Sequence, residues 1–192
     1  MVNTRKRHYE ALGQDAYYDE VMPWLETLFD RYLQDEDGHY LIAVNEAVCN
    51  AARYAKAGYE CVRIYIDVEV TPDSLRTTVT ADTLPFDVQG FYKKMIALGK
   101  DESIASKEWG DYTGNSDKSR GFWMMLMSCR SVDIDVNGKA VTLVAERPFL
   151  TEHVCKTIRT LVGRLRLVDG KRILTEDGKE VRKKSFLEDD ES

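Results

Sequence analysis

No apolar run in the 192 residues approaches the roughly 20 needed to cross a bilayer. The opening MVNTRKRHYEALG carries basic residues but lacks the hydrophobic core of a secretory signal, which leads to the expectation of a cytoplasmic protein without a membrane partner. Cysteine is scarce and scattered. Cys49, Cys61, Cys129 and Cys155 form no C-x-x-C pair, which argues against a disulfide scaffold or zinc knuckle and reads as reduced, mostly buried thiols. His8, His39 and His153 have no close acidic or cysteine pattern, so neither a histidine-centred metal site nor a catalytic triad finds support. Aromatic interleaving is missing from the one basic stretch, residues 156–184, with 10 Lys and Arg against 4 Asp and Glu, so nucleic acid is not the expected partner.

What is present is ordinary for a soluble globular protein: 43% hydrophobic and 31% charged, long enough for one well-buried domain and an appendage. The basic stretch precedes an acidic end, Glu188, Asp189, Asp190 and Glu191. It either faces an acidic partner protein or pairs with the acidic body of its own domain.

Hydrophobic spacing predicts a helix from about Asp15 to Gln34, kinked or delayed by Pro23, and a second from His39 to about Ala57, stopped by Gly58. Alternation over Cys61–Val70 and Leu75–Ala81, around Thr71-Pro72-Asp73-Ser74, predicts a β-hairpin. Gly121–Cys129 is apolar nearly all round and reads as a buried helix. A second hairpin, Val132–Val136 and Ala140–Ala145, turns at Asn137-Gly138. Together these make an α+β two-layer sandwich, a mixed, mostly antiparallel sheet with helices on one face.

The second helix contains NEAVCNAARYA. Leu41, Val44, Val48, Ala51, Ala52 and Ala55 form an apolar stripe, with Glu46, Asn50 and Arg53 on the opposite side. The plain reading is a solvated polar face; the functional one is a carboxylate and a carboxamide presented one turn apart. Asp82 stands where the second strand stops, either capping the turn or facing a ligand. Lys118, Ser119, Arg120 and Gly121 precede the buried helix, as loop charges or as an anion site at a helix N-terminus.

The order of these pieces resembles the GHKL (Bergerat-fold) ATPases, and within them the small anti-sigma-factor serine/threonine kinases, over about Tyr17 to Arg147. Glu46-Ala47-Val48-Cys49-Asn50-Ala51 matches the family's E-A-x-x-N-A helix. The resemblance implies that Asn50 holds Mg²⁺ and that Glu46 orients or deprotonates the attacking group. It implies that Asp82 accepts a hydrogen bond from the adenine amino group of ATP, and that Lys118, Ser119, Arg120 and Gly121 meet the phosphates. The implied substrate is a serine or threonine on a small antagonist protein, with a sigma factor as the alternative partner. An interaction module on the same fold with an eroded nucleotide site is the other reading. Leu84 stands where the family has glycine two residues after the aspartate, Gly121 is the only glycine of its box, and Lys139 stands where threonine is frequent.

Residues from about Val88 to Ser119 are the lid candidate, beginning with a helix capped by Asp87 and anchored by Trp109 and Tyr112; a mere insertion is the alternative. The expected division is a histidine kinase-like ATPase domain over 1–150, then an extension over 151–192. The extension comprises a helix from Glu152 to Val162 capped by Thr151, a basic hairpin turning at Asp169-Gly170, and the acidic tail. The hairpin must pack on the domain, on a second copy in a homodimer, or on a partner. If it serves a partner, deleting everything after Arg164 leaves a folded core.

Overall fold

The computed structural model describes residues 4–35, 37–113, 120–149 and 156–181. Expectations for Lys118, Ser119, the Thr151 cap and the acidic end lie outside the described residues. The chain opens with a strand, β1 (Arg5–Leu12), then a short helix α1 (Gly13–Ala16), a π-helical stretch (Tyr17–Val21) and α2 (Met22–Leu33). The widened turn sits immediately before Pro23, with the Met22 amide donating to the Tyr17 carbonyl. Proline has no amide to give and crowds the carbonyl four residues back, so the helix adjusts there instead of breaking.

Next come α3 (His39–Arg53), the hairpin β2 (Arg63–Val70) and β3 (Ser74–Ala81), and helices α4 (Val88–Lys100), α5 (Trp109–Thr113) and α6 (Arg120–Ser128). Strands β4 (Ser131–Asp135) and β5 (Ala140–Glu146), helix α7 (Ile158–Gly163) and strands β6 (Leu165–Asp169) and β7 (Arg172–Leu174) follow. Helix α3 ends at Arg53, short of Gly58, because residues beyond it turn to pair with the chain leaving β3: Ala55 bridges Thr83. Gly138 takes a positive φ of 69° in the β4–β5 turn, where the Asn-Gly pair marked one.

The seven strands form one open sheet in the order β1-β2-β3-β5-β4-β6-β7, antiparallel except for the β4–β6 pair. The fold is therefore α+β, with a mostly antiparallel sheet in a two-layer arrangement. Ile64, Ile66, Val68 and Val70 of β2 and Leu75, Thr77, Val79 and Ala81 of β3 are buried, while their alternate neighbours are not. Helix α3 crosses this buried face, with the Tyr40 hydroxyl donating to the Leu143 carbonyl at 2.9 Å.

Strand β1 had no signal in the sequence, because Ala11 is its only buried residue. It is an edge strand held by main-chain pairing to β2 and by charged pairs such as Arg63 to Glu10 at 2.6 Å.

The basic hairpin packs on its own domain. Strand β6 lies parallel to β4, with Leu165 and Leu167 in the core, and Arg166 grips the buried Asp133 carboxylate at 2.6 and 2.8 Å. Arg164 donates to the Leu126 and Met127 carbonyls at the end of α6, and Arg159 pairs with Glu102. Much of the positive stretch is thus used inside the domain. Of the cysteines, Cys129 is buried, Cys49 half-buried and Cys61 exposed, all three reduced, so burial is less general than expected. Cys155 lies outside the described residues.

Candidate functional site

The buried residues of α3 are Tyr40, Ala43, Val44, Ala47, Val48 and Ala52, a face rotated toward Ala43 and Ala47 relative to the stripe read from sequence. Leu41 and Ala51 are half-buried, and so are Glu46 and Asn50, which border the packed face instead of opposing it. The reason is α6, which lies alongside. A Cβ built on Gly121 would stand 2.0 Å from the Glu46 Oε2, so the first turn of α6 reaches this carboxylate only because residue 121 is glycine.

Gly121→Ala is expected to leave stability within about 1 kcal/mol of wild type, since the group displaced is the end of a flexible side chain. It moves the Glu46 carboxylate away from α6. A thermal melt checks the first statement, and loss of any Glu46-dependent activity the second.

The far side of α3 is held by a polar cluster. The Tyr17 hydroxyl donates to Asn45 Oδ1, the Gln14 amide donates to Cys49 Sγ at 3.3 Å, and the Tyr18 hydroxyl lies 3.1 Å from the same sulfur. Burial raises the Tyr17 pKa above its ordinary value, so this hydroxyl keeps its proton. Rotation of α3 is therefore set from both sides, and the rim position of Glu46 and Asn50 follows.

Asp82 comes to the C-terminal end of the same helix. The Lys56 amide donates to the Asp82 carbonyl at 3.1 Å, and the Leu84 amide donates to the Tyr54 carbonyl at 2.8 Å. Tyr54 is eight positions beyond Glu46, about 12 Å at 1.5 Å per residue, with Asn50 midway. The Asp82 side chain is exposed, and its Oδ1 receives Lys56 Nζ at 3.1 Å and Lys139 Nζ at 3.0 Å. Hydrogen bonds from Lys139 first, then Lys56, hold its carboxyl below the usual carboxylate range. Sequence reasoning named Asp82, noted Lys139 only as standing where the family frequently has threonine, and passed over Lys56; the register of β3 against β5 and the turn after α3 bring the three together.

Aromatic rings connect this end to α6. Phe86 meets Phe91 edge-on at 6.3 Å, and Phe91 meets Phe122 edge-on at 5.1 Å. Trp109 stacks on Trp123 at 3.7 Å and packs against Tyr112 at 5.5 Å, which makes both expected anchors of the lid candidate contacts of the fold. Asp87 caps α4 as expected, accepting from the Gly90 amide at 2.8 Å. Backbone bonds from Trp109 to Lys156, Ile158 to Lys107 and Arg159 to Ala105 tie the region to the segment entering α7.

The described residues line two cavities near α6, among others. One of about 180 Å³ is lined by Ser128, Arg130, Glu146, Phe149 and Arg164. Another, of about 370 Å³, lies on the Arg120, Met124 and Met127 side of α6. Neither is lined by Glu46, Asn50 or Asp82.

The structure thus brings Glu46 to Gly121, places Asn50 on the same rim, and sets Asp82 at the end of that rim. Arg120 opens α6 and is exposed. The half-buried Asn50 carboxamide oxygen is a hard oxygen donor of the kind Mg²⁺ accepts in small number from a protein, the phosphates supplying most of the others, so the residue present fits that ion. Compared with known proteins, the chain matches no family model and no curated protein.

Proposed function

We propose that the protein is an ATP-binding regulator of the anti-sigma-factor serine/threonine kinase type, on a Bergerat fold, acting in the cytoplasm. The observation that carries this reading is the convergence on one helix rim of three segments far apart in sequence: Glu46 with Asn50, Asp82, and Gly121 at the start of α6. No described helix is long and apolar enough to cross a membrane.

In this reading Asp82 accepts from the adenine amino group, and Arg120 and Gly121 at the start of α6 meet the phosphates; Lys118 and Ser119, expected beside them from sequence, lie outside the described residues. Asn50 would hold Mg²⁺, which would supply neutralisation of the phosphate charge. The Glu46 carboxylate takes the proton of a serine or threonine hydroxyl on a small antagonist protein. The hydroxyl oxygen bonds to the γ-phosphorus as the bond to the β–γ bridging oxygen breaks, and ADP leaves. A sigma factor is the second partner class, and a homodimer is one candidate assembly.

A second reading, an interaction module without catalysis, draws on Asp82 being shared by two lysines and on Leu84 standing, half-exposed, in place of a glycine. Nucleotide titration of variants separates the two. Asn50→Ala is expected to weaken Mg²⁺-ATP binding roughly tenfold or more, as a metal ligand is lost. Asp82→Asn should weaken ATP specifically among triphosphates, because a site built to pair a polar group tolerates its loss poorly. Equal affinities in wild type and both variants favour the interaction module.

A further inference from the structure

The lysines on Asp82 make an unusual ion pair. Two ammonium groups converge on one carboxylate oxygen, Oδ1, so they repel each other and leave a local excess of positive charge. Oδ2 has no hydrogen-bond partner among the described residues. Both lysines are also fixed by backbone: the Lys56 amide donates to the Asp82 carbonyl at 3.1 Å, and the Lys139 carbonyl accepts from the Ala81 amide at 3.0 Å. An ordinary surface pair contributes little to stability and calls for no such convergence. Each ammonium has three donors, and Asp82 takes one from each.

The surroundings are apolar and uncovered. Tyr54, Leu84 and Phe86 are 55%, 54% and 49% exposed, and Phe86 lies against Gly138, next to Lys139. Exposed apolar side chains on or against the segments that carry the two donors, together with an acceptor left over at Oδ2, suit the edge of a nucleobase, and the excess positive charge suits the polyphosphate attached to it.

We propose that Lys56 and Lys139 determine base specificity: Asp82 accepts an adenine amino hydrogen through Oδ2 while a lysine ammonium donates to the neighbouring ring nitrogen, N1. The inference rests on the nucleotide reading above and adds a second read-out atom to it. A base with a protonated N1, as in guanine or hypoxanthine, meets a donor where the site presents a donor. The lysines act on the ligand directly, and Lys139 in place of the family's frequent threonine becomes a functional substitution.

The test is calorimetric titration with Mg²⁺ of wild type, Lys56→Met, Lys139→Met and the double variant. The ligands are ATP, inosine triphosphate and 1-deaza-ATP, which keeps the amino group but carries C–H in place of N1. Wild type should bind ATP on the order of tenfold more tightly than 1-deaza-ATP, the size of one hydrogen bond to a charged donor. In the double variant this ratio falls to about one while ATP remains preferred over inosine triphosphate, and the single variants show which lysine donates. Wild type that binds ATP and 1-deaza-ATP equally, or a ratio unchanged in the double variant, overturns the lysine assignment and leaves the nucleotide reading standing. Wild type that binds none of the three overturns both.

Discussion

A chain ending at Arg164 is expected not to fold cooperatively. Truncation removes Leu165 and Leu167, both buried, each contributing about 1.5–3 kcal/mol through burial. It also removes Arg166 and leaves the Asp133 carboxylate buried without its partner, a defect that costs about 3–5 kcal/mol in comparable buried pairs. Domains of this size have only about 5–15 kcal/mol to lose. Circular dichroism and urea unfolding of the truncated chain should show no cooperative transition, and Arg166→Ala in the full chain should lower the midpoint without abolishing folding. A truncated chain that melts cooperatively near the wild-type midpoint would place β6 outside the core. The partner-capture role considered for this hairpin from sequence gives way to a structural one, because β6 fills the sheet edge beside β4.

The second large effect belongs to Glu46. Glu46→Ala is expected to leave Mg²⁺-ATP affinity nearly unchanged while slowing phosphate transfer or release by roughly 10²–10⁴-fold, the usual contribution of a general base. The distinction is physical: a group that acts on the attacking hydroxyl stabilises the transition state and contributes little to ground-state binding. Parallel titration and phosphate-release measurements check it. A variant that binds ATP normally and turns over at the wild-type rate removes Glu46 from the chemistry.

The alternation of β2 and β3 was legible because burial on one face leaves a period of two in the sequence, and α6 because its run is apolar nearly throughout, although only Trp123, Met125, Leu126 and Ser128 of it are fully buried. Strand β1 left no such record. An edge strand is specified by main-chain pairing and by charged neighbours such as Glu10 and Arg63, and RKRHYEAL carries no apolar period. The rotation of α3 was misjudged by a fraction of a turn, because alanines at 43 and 47 look neutral until α6 is known to lie against that side of the helix. For the site, Glu46, Asn50 and Asp82 were each visible as residues, but the contact between Glu46 and Gly121 joins positions 75 apart and has no local signature. The two lysines on Asp82 are the extreme case: their meeting depends on the register of β3 against β5 and on the turn after α3, neither of which has a local signature.

The measurement that bears most directly on the proposed function is a calorimetric titration of ATP into the wild-type protein, with millimolar Mg²⁺ and with the ion chelated. A nucleotide site built on Asn50 and Asp82 should give saturable binding with Mg²⁺ and binding weaker by roughly tenfold or more without it. No measurable heat at millimolar ATP and Mg²⁺, from protein that melts cooperatively, would contradict it. Glu46 and Asn50 would then be only polar residues on the rim of a helix.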